Sequence, residues 1–193
     1  MSVPRTVIWT PAPAAELQLA LHRATAGPAV LVPVASGTVA LPPIAGFGVQ
    51  VRHAARCREV AGRALLLRWN AVAAVACSLE DEEPLSCAVG PLRAARSLVR
   101  WFPSRHGVRL TATPGEVLGG DAPAATAGGP EGLAAVLRAV GRPDLAQVVG
   151  LVDEGRADTW ITGLPGTADL PINTVLPVIP VTQGTAPHDP PLA

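Results

Sequence analysis

The hydrophobic and polar positions divide the chain into short segments of changing period. Arg5 to Trp9 carries β-branched and aromatic residues and ends at Thr10-Pro11, which reads as a strand. Pro13 then opens a helix to about Ala26, with Leu17, Ala20, Leu21 and Ala24 on one face. Three short strands are expected at Ala29–Val34, Thr38–Leu41 and Gly48–Arg52, punctuated by glycine and proline. A short helix from His53 to Ala61 closes at Gly62, and Arg63–Trp69 reads as a half-buried strand. Val72–Leu79 and Leu85–Val89 flank the charged turn Glu80-Asp81-Glu82-Glu83-Pro84, the pattern of a β-hairpin.

Pro91 to Phe102 has the clearest helical period. Leu92, Ala95, Leu98, Val99 and Phe102 fall on one side, and Arg93, Arg96 and Arg100 cluster on another. Val108–Ala112 reads as a strand, and Thr113 to Pro130 shows no pattern and is expected to be a flexible loop. Gly132–Val140 and Pro143–Val152 predict a helical hairpin with facing leucine and valine stripes, followed by an edge strand at Thr159–Thr162. From Leu164 the prolines at 165, 171, 177, 180, 187, 190 and 191 predict an extended or partly disordered tail.

These elements predict one α+β (mixed α/β) domain over residues 1–163, a short-strand meander sheet packed by four or five helices, and a Pro-rich tail over 164–193. At 193 residues the chain can bury roughly 70% of its unfolded surface in one sizeable core. No charge lies between Arg23 and Arg52, but four prolines and four glycines there exclude a membrane helix. The first residues lack the basic flank and long apolar run of a signal peptide, so a cytoplasmic protein that does not enter the membrane is expected.

Composition narrows the chemistry further. All 15 basic residues are arginine, so no lysine can serve as a phosphate-loop, Schiff-base or kinase-type group; no tyrosine can supply a phenol. Formal net charge is zero, which leaves no long-range field toward nucleic acid or anionic lipid.

The most concentrated chemical feature is the arginine ridge Arg93, Arg96 and Arg100, continued by Arg105, His106 and Arg109 beside Trp101. Guanidinium forks on one helix face suit an anionic partner, and Trp101 can stack on a base or an arginine. The competing reading is a solvated helix face, or one paired with the acidic turn at Glu80–Glu83. Within the tail, the apolar P-x-x-P segment Pro177, Val178, Ile179 and Pro180 suits docking on a partner or on the chain's own sheet.

Other constellations are weaker. Cys57, Cys77 and Cys87 lack metal-ligand spacing and read as buried structural residues, although a hairpin turning symmetrically at Glu82 would set Cys77 opposite Cys87. Ser36 lacks the glycine two positions earlier that a nucleophile elbow uses. The glycines at 119, 120, 128, 129 and 132 precede a helix without matching a phosphate-binding spacing, so they are assigned to the loop. The expected function is therefore non-catalytic: a protein–protein interaction or adaptor protein, with a protein partner or a second copy of itself, and no cofactor, metal or catalytic residue assigned. The alternatives are a small enzyme with an Arg-lined acid/base site, using Arg105, His106 and Asp121, and a weak binder of nucleic acid or an anionic ligand through Arg93–Arg109. Nucleic acid is disfavoured by the neutral charge.

Overall fold

A computed structural model describes residues 4–23, 29–42, 47–80, 84–99, 110–122, 127–157 and 174–175, the backbone alone for 47–49 and 174–175. It shows an α+β fold. Strands β1 (Arg5–Thr10), β2 (Val30–Val34), β3 (Gly37–Leu41), β4 (Ala64–Trp69), β5 (Ala74–Leu79) and β6 (Leu85–Val89) form an antiparallel sheet. A two-residue β7 (Thr174–Val175) adds to its edge in parallel with β2. The order is β6-β5-β4-β1-β3-β2-β7, so β4–β6 form the expected meander while β1 is inserted between it and the β2–β3 hairpin.

Alternation along each strand sends successive side chains to opposite faces, and each face meets its own helices. On one, Val7, Trp9, Val39, Leu65, Leu67 and Trp69 pack under α4 (Pro114–Leu118), α5 (Gly129–Ala139) and α6 (Pro143–Asp153). On the other, Ile8, Leu31, Leu66, Val75 and Cys77 pack under α1 (Ala14–Arg23), α2 (Phe47–Ala61) and α3 (Leu92–Leu98). Six helices are thus described where four or five were expected. Because both faces are covered, all of β5 is buried, and β4 is buried except at Arg68 rather than half-buried as its alternation predicts.

Two other expectations are corrected and a third is described only in part. Gly48–Arg52 is not a strand but the start of α2. Its valines favour β structure locally, yet the stripe Gln50, His53, Ala54 and Cys57, spaced for a helix, is what the sheet buries. Of the expected strand Val108–Ala112, residues 108 and 109 lie outside the described residues and the rest carries a parallel bridge from Leu110 to Ser86. Part of the Thr113–Pro130 loop is α4, opened by a capping box. The Thr113 hydroxyl accepts from the Glu116 N–H at 3.3 Å, and the Glu116 carboxylate accepts from the Thr113 N–H at 2.6 Å, with Pro114 in the first turn. The expected edge strand at 159–162 lies outside the described residues.

The glycines before α5 have a packing role. A Cβ on Gly128 would sit 2.0 Å from the Val72 carbonyl oxygen, and one on Gly132 would sit 2.1 Å from that of Ala127. Backbone therefore lies against backbone where α5 meets the β4–β5 turn, and carbonyls crowd the place an anion would need. Gly150, inside α6, has nothing within 4 Å of its virtual Cβ. Gly128→Ala is expected to destabilise by about 2 kcal/mol or more, and Gly150→Ala to stabilise by about 0.5–1 kcal/mol. Urea denaturation of the two variants beside the parent checks both signs.

Candidate functional site

The arginine ridge is only partly described. Arg93 and Arg96 project from α3 into solvent, one helical turn apart, while Ala95 and Leu98 anchor the opposite side in the core. Neither arginine has an acidic partner among the described residues. Glu80, the described member of the upstream acidic turn, lies 3.4 Å from Arg63 instead. Leu92 is 43% exposed beside Arg93, so the ridge carries an apolar group as well as charge. Arg100, Trp101, Arg105, His106 and Arg109 lie outside the described residues, as do Pro177, Val178, Ile179 and Pro180.

Asp121 lines an open groove of about 640 Å³ with Thr113, Gly115, Glu116, Gly120 and Ala122. Glu116 is held below the usual carboxylate range by hydrogen bonds from the Thr113 backbone N–H and then its hydroxyl. The groove's titratable lining, Glu116 and Asp121, is acidic and exposed.

A second polar assembly, absent from the sequence reading, gathers where β1 ends. The Trp9 indole N–H donates to the Ser36 hydroxyl at 3.0 Å, and that hydroxyl donates to Asp144 at 2.6 Å. The Ser36 backbone N–H donates to the same carboxylate oxygen at 2.9 Å. The Arg142 guanidinium stacks 4.2 Å from the centre of the Trp9 ring. Ser36 thus links an indole donor to an acid acceptor, and no imidazole bonds to it among the described residues. Buried tryptophans at alternating strand positions announce that their N–H groups need acceptors. The pattern cannot name acceptors that lie 27 and 108 residues further along, as Ser36 does from Trp9 and Asp144 from Ser36.

On the other face, Gln50 of α2 accepts from Thr6 at 2.9 Å and from Arg68 at 2.5 Å. One turn along, His53 is 2% exposed and both its ring nitrogens lack a hydrogen-bond partner. Burial lowers its pKa, because the charged ring would lose water without gaining an acceptor.

The cysteines are equally withdrawn. Burial raises the Cys57 and Cys87 thiols to about 12 and Cys77 to about 11, far from thiolate chemistry at neutral pH. The hairpin register pairs Cys77 with Ser86 and Cys87 with Ala76, one residue away from the symmetric turn. That single step puts Cys87 in the α5–α6 core and Cys77 in the α1–α3 core, so the expected facing pair does not form. No cluster of three or more metal-binding side chains occurs among the described residues, and no described helix is long and apolar enough to cross a membrane.

His53 is expected to make the fold acid-sensitive. In the unfolded chain its ring protonates near the ordinary value of about 6.5, whereas the folded site resists the proton. Its contribution is full above that value and lost as pH falls below it, at a limiting slope of about 1.4 kcal/mol per pH unit for one proton. His53→Leu is expected to flatten the stability profile between pH 7 and pH 5 relative to the parent (pH range about the imidazole value), as read by denaturation at each pH.

Comparison with protein-family models, curated proteins and solved structures finds no match, so the functional argument rests on this geometry alone.

Proposed function

We propose that this protein is a non-catalytic interaction or adaptor protein whose contact surface is the outer face of α3 and the chain that follows it. The observation that carries this reading is the pair Arg93 and Arg96, exposed on one helix face with no acidic partner among the described residues, beside the exposed Leu92. Uncompensated guanidinium forks next to an apolar side chain suit an acidic protein surface with a hydrophobic contact at its centre. Zero formal charge favours such a short-range partner over a polyanion drawn in by a long-range field. Arg100, Trp101, Arg105, His106 and Arg109 belong to the same proposal as its continuation. Pro177, Val178, Ile179 and Pro180 belong to it as a second contact element, close in sequence to Thr174–Val175, which pair with β2.

The test is a direct binding measurement with a labelled acidic peptide containing leucine and, separately, a DNA duplex of matched charge. Arg93→Glu/Arg96→Glu is expected to weaken peptide binding by tenfold or more and to change folding stability by no more than about 0.5 kcal/mol, as for an exposed site. Peptide binding untouched by the double variant overturns the reading. Tighter, steeply salt-dependent binding to the duplex replaces it with a nucleic-acid function.

A further inference from the structure

We propose that the corner between the β2–β3 turn, the start of β4 and the start of α6 is a binding site for an oxyanion, a carboxylate or phosphate group, held between the guanidiniums of Arg142 and Arg63.

Strand register places Arg63 near Trp9, and the start of α6 places Arg142 on the Trp9 ring. Trp9 of β1 lies opposite Leu65 of β4, and Arg63, two residues before Leu65, shares the face of Leu65 and Trp9. The adjacent Thr10 hydroxyl ties the same point down by donating to the Arg63 carbonyl at 3.1 Å. Arg142 immediately precedes α6, which packs on this face, and its guanidinium lies over the Trp9 ring.

Both groups are left short of partners. The Arg142 Nη1 is buried without a hydrogen-bond acceptor, and the buried Arg63 Nε also makes no proper hydrogen bond. Asp144 is two residues from Arg142, but its bonded oxygen takes two donors from Ser36 and the pair is not ion-paired. Arg63 has the Glu80 carboxylate at 3.4 Å, on a side chain 57% exposed and therefore free to swing away. Burial, and after it the charge of Arg63, lower the proton affinity of Arg142 against the opposing pull of Asp144, so the two guanidiniums lie within electrostatic reach of one another. An oxyanion there would accept from both forks and relieve their repulsion, and the indole beneath Arg142 holds one fork oriented before the ligand arrives. The site is distinct from the α3 ridge and does not depend on its reading.

Calorimetric titration of the full chain with inorganic phosphate, acetate and a chloride control tests it. Saturable binding of phosphate or acetate is expected, and which of the two binds tighter identifies the oxyanion. Arg142→Gln and Arg63→Gln should each weaken binding by about tenfold or more, the loss of one charged bidentate donor. Glu80→Gln, which removes the competing carboxylate from the exposed side, should strengthen it several-fold, a gain no misfolded variant can imitate. Arg93→Ala/Arg96→Ala should leave it unchanged. The proposal falls if neither anion binds saturably in the millimolar range, or if Glu80→Gln has no effect and Arg142→Gln binds like the parent.

Discussion

A single antiparallel sheet buried on both faces governs this protein. Side chains alternate across the sheet, so its core is two cores separated by one layer of backbone, and β5 contributes to both without a single exposed residue. Polar groups in such a sheet cannot reach water and must find partners inside. Thr6, Thr10 and Thr38 do so through Gln50, the Arg63 carbonyl and the Ala12 carbonyl. The tryptophans do so in a way that fixes a helix.

Trp9 reaches Asp144 through Ser36 near the start of α6, and the Trp69 indole donates to Asp153 at its end, 3.0 Å away. From Asp144 to Asp153 the helix rises about 13.5 Å at about 1.5 Å per residue. Trp69 lies opposite Arg5, four residues from Trp9 on β1, a separation of about 13.5 Å at about 3.4 Å per residue. The two spans match. With Asp144 and Asp153 as its terminal acceptors, α6 lies along the β1–β4 pair, and α5 follows through the Gly141 turn. The apolar stripe of α6 supplies its burial and the two indole links match its length to the sheet beneath, so the corner containing Arg142 sits where α6 starts.

What was legible in the sequence follows from the range over which each determinant acts. The strands at Arg5, Ala29, Thr38, Arg63 and Leu85, and the hairpin of α5 and α6, were readable because periodicity and turn chemistry are local. Thr113-Pro114-Gly115-Glu116 was also a local signal, a capping box whose spacing defines α4, and went unread because its helix is too short to show a stripe. Gly48–Arg52 misled because alternating valines look like a strand until the stripe from Gln50 to Cys57 is extended across them. The two-sided burial of β4, the one-residue register step that separates Cys77 from Cys87, and the link from Ser36 to Asp144 are set by segments distant in sequence. No window of residues contains them. Of the candidate site, Arg93 and Arg96 were legible as an exposed helix face, whereas the pairing of Arg63 with Arg142 exists only once β1, β4 and α6 are assembled.

The same architecture decides where binding chemistry can sit. With both sheet faces sealed, reactive side chains that fall inside become structural: three thiols are pushed out of the thiolate range, and His53 is kept from its proton. Groups able to meet another molecule are confined to outer helix faces, strand ends and turns. There the balance of charge is local rather than global. A chain of zero net charge can still leave Arg93 and Arg96 without an acid among the described residues while Glu80 is drawn to Arg63, because each acid neutralises only what its own backbone position lets it reach. The arginines on α3 and at the start of α6 are therefore separate local fields, each short in range, which act by contact rather than by long-range attraction.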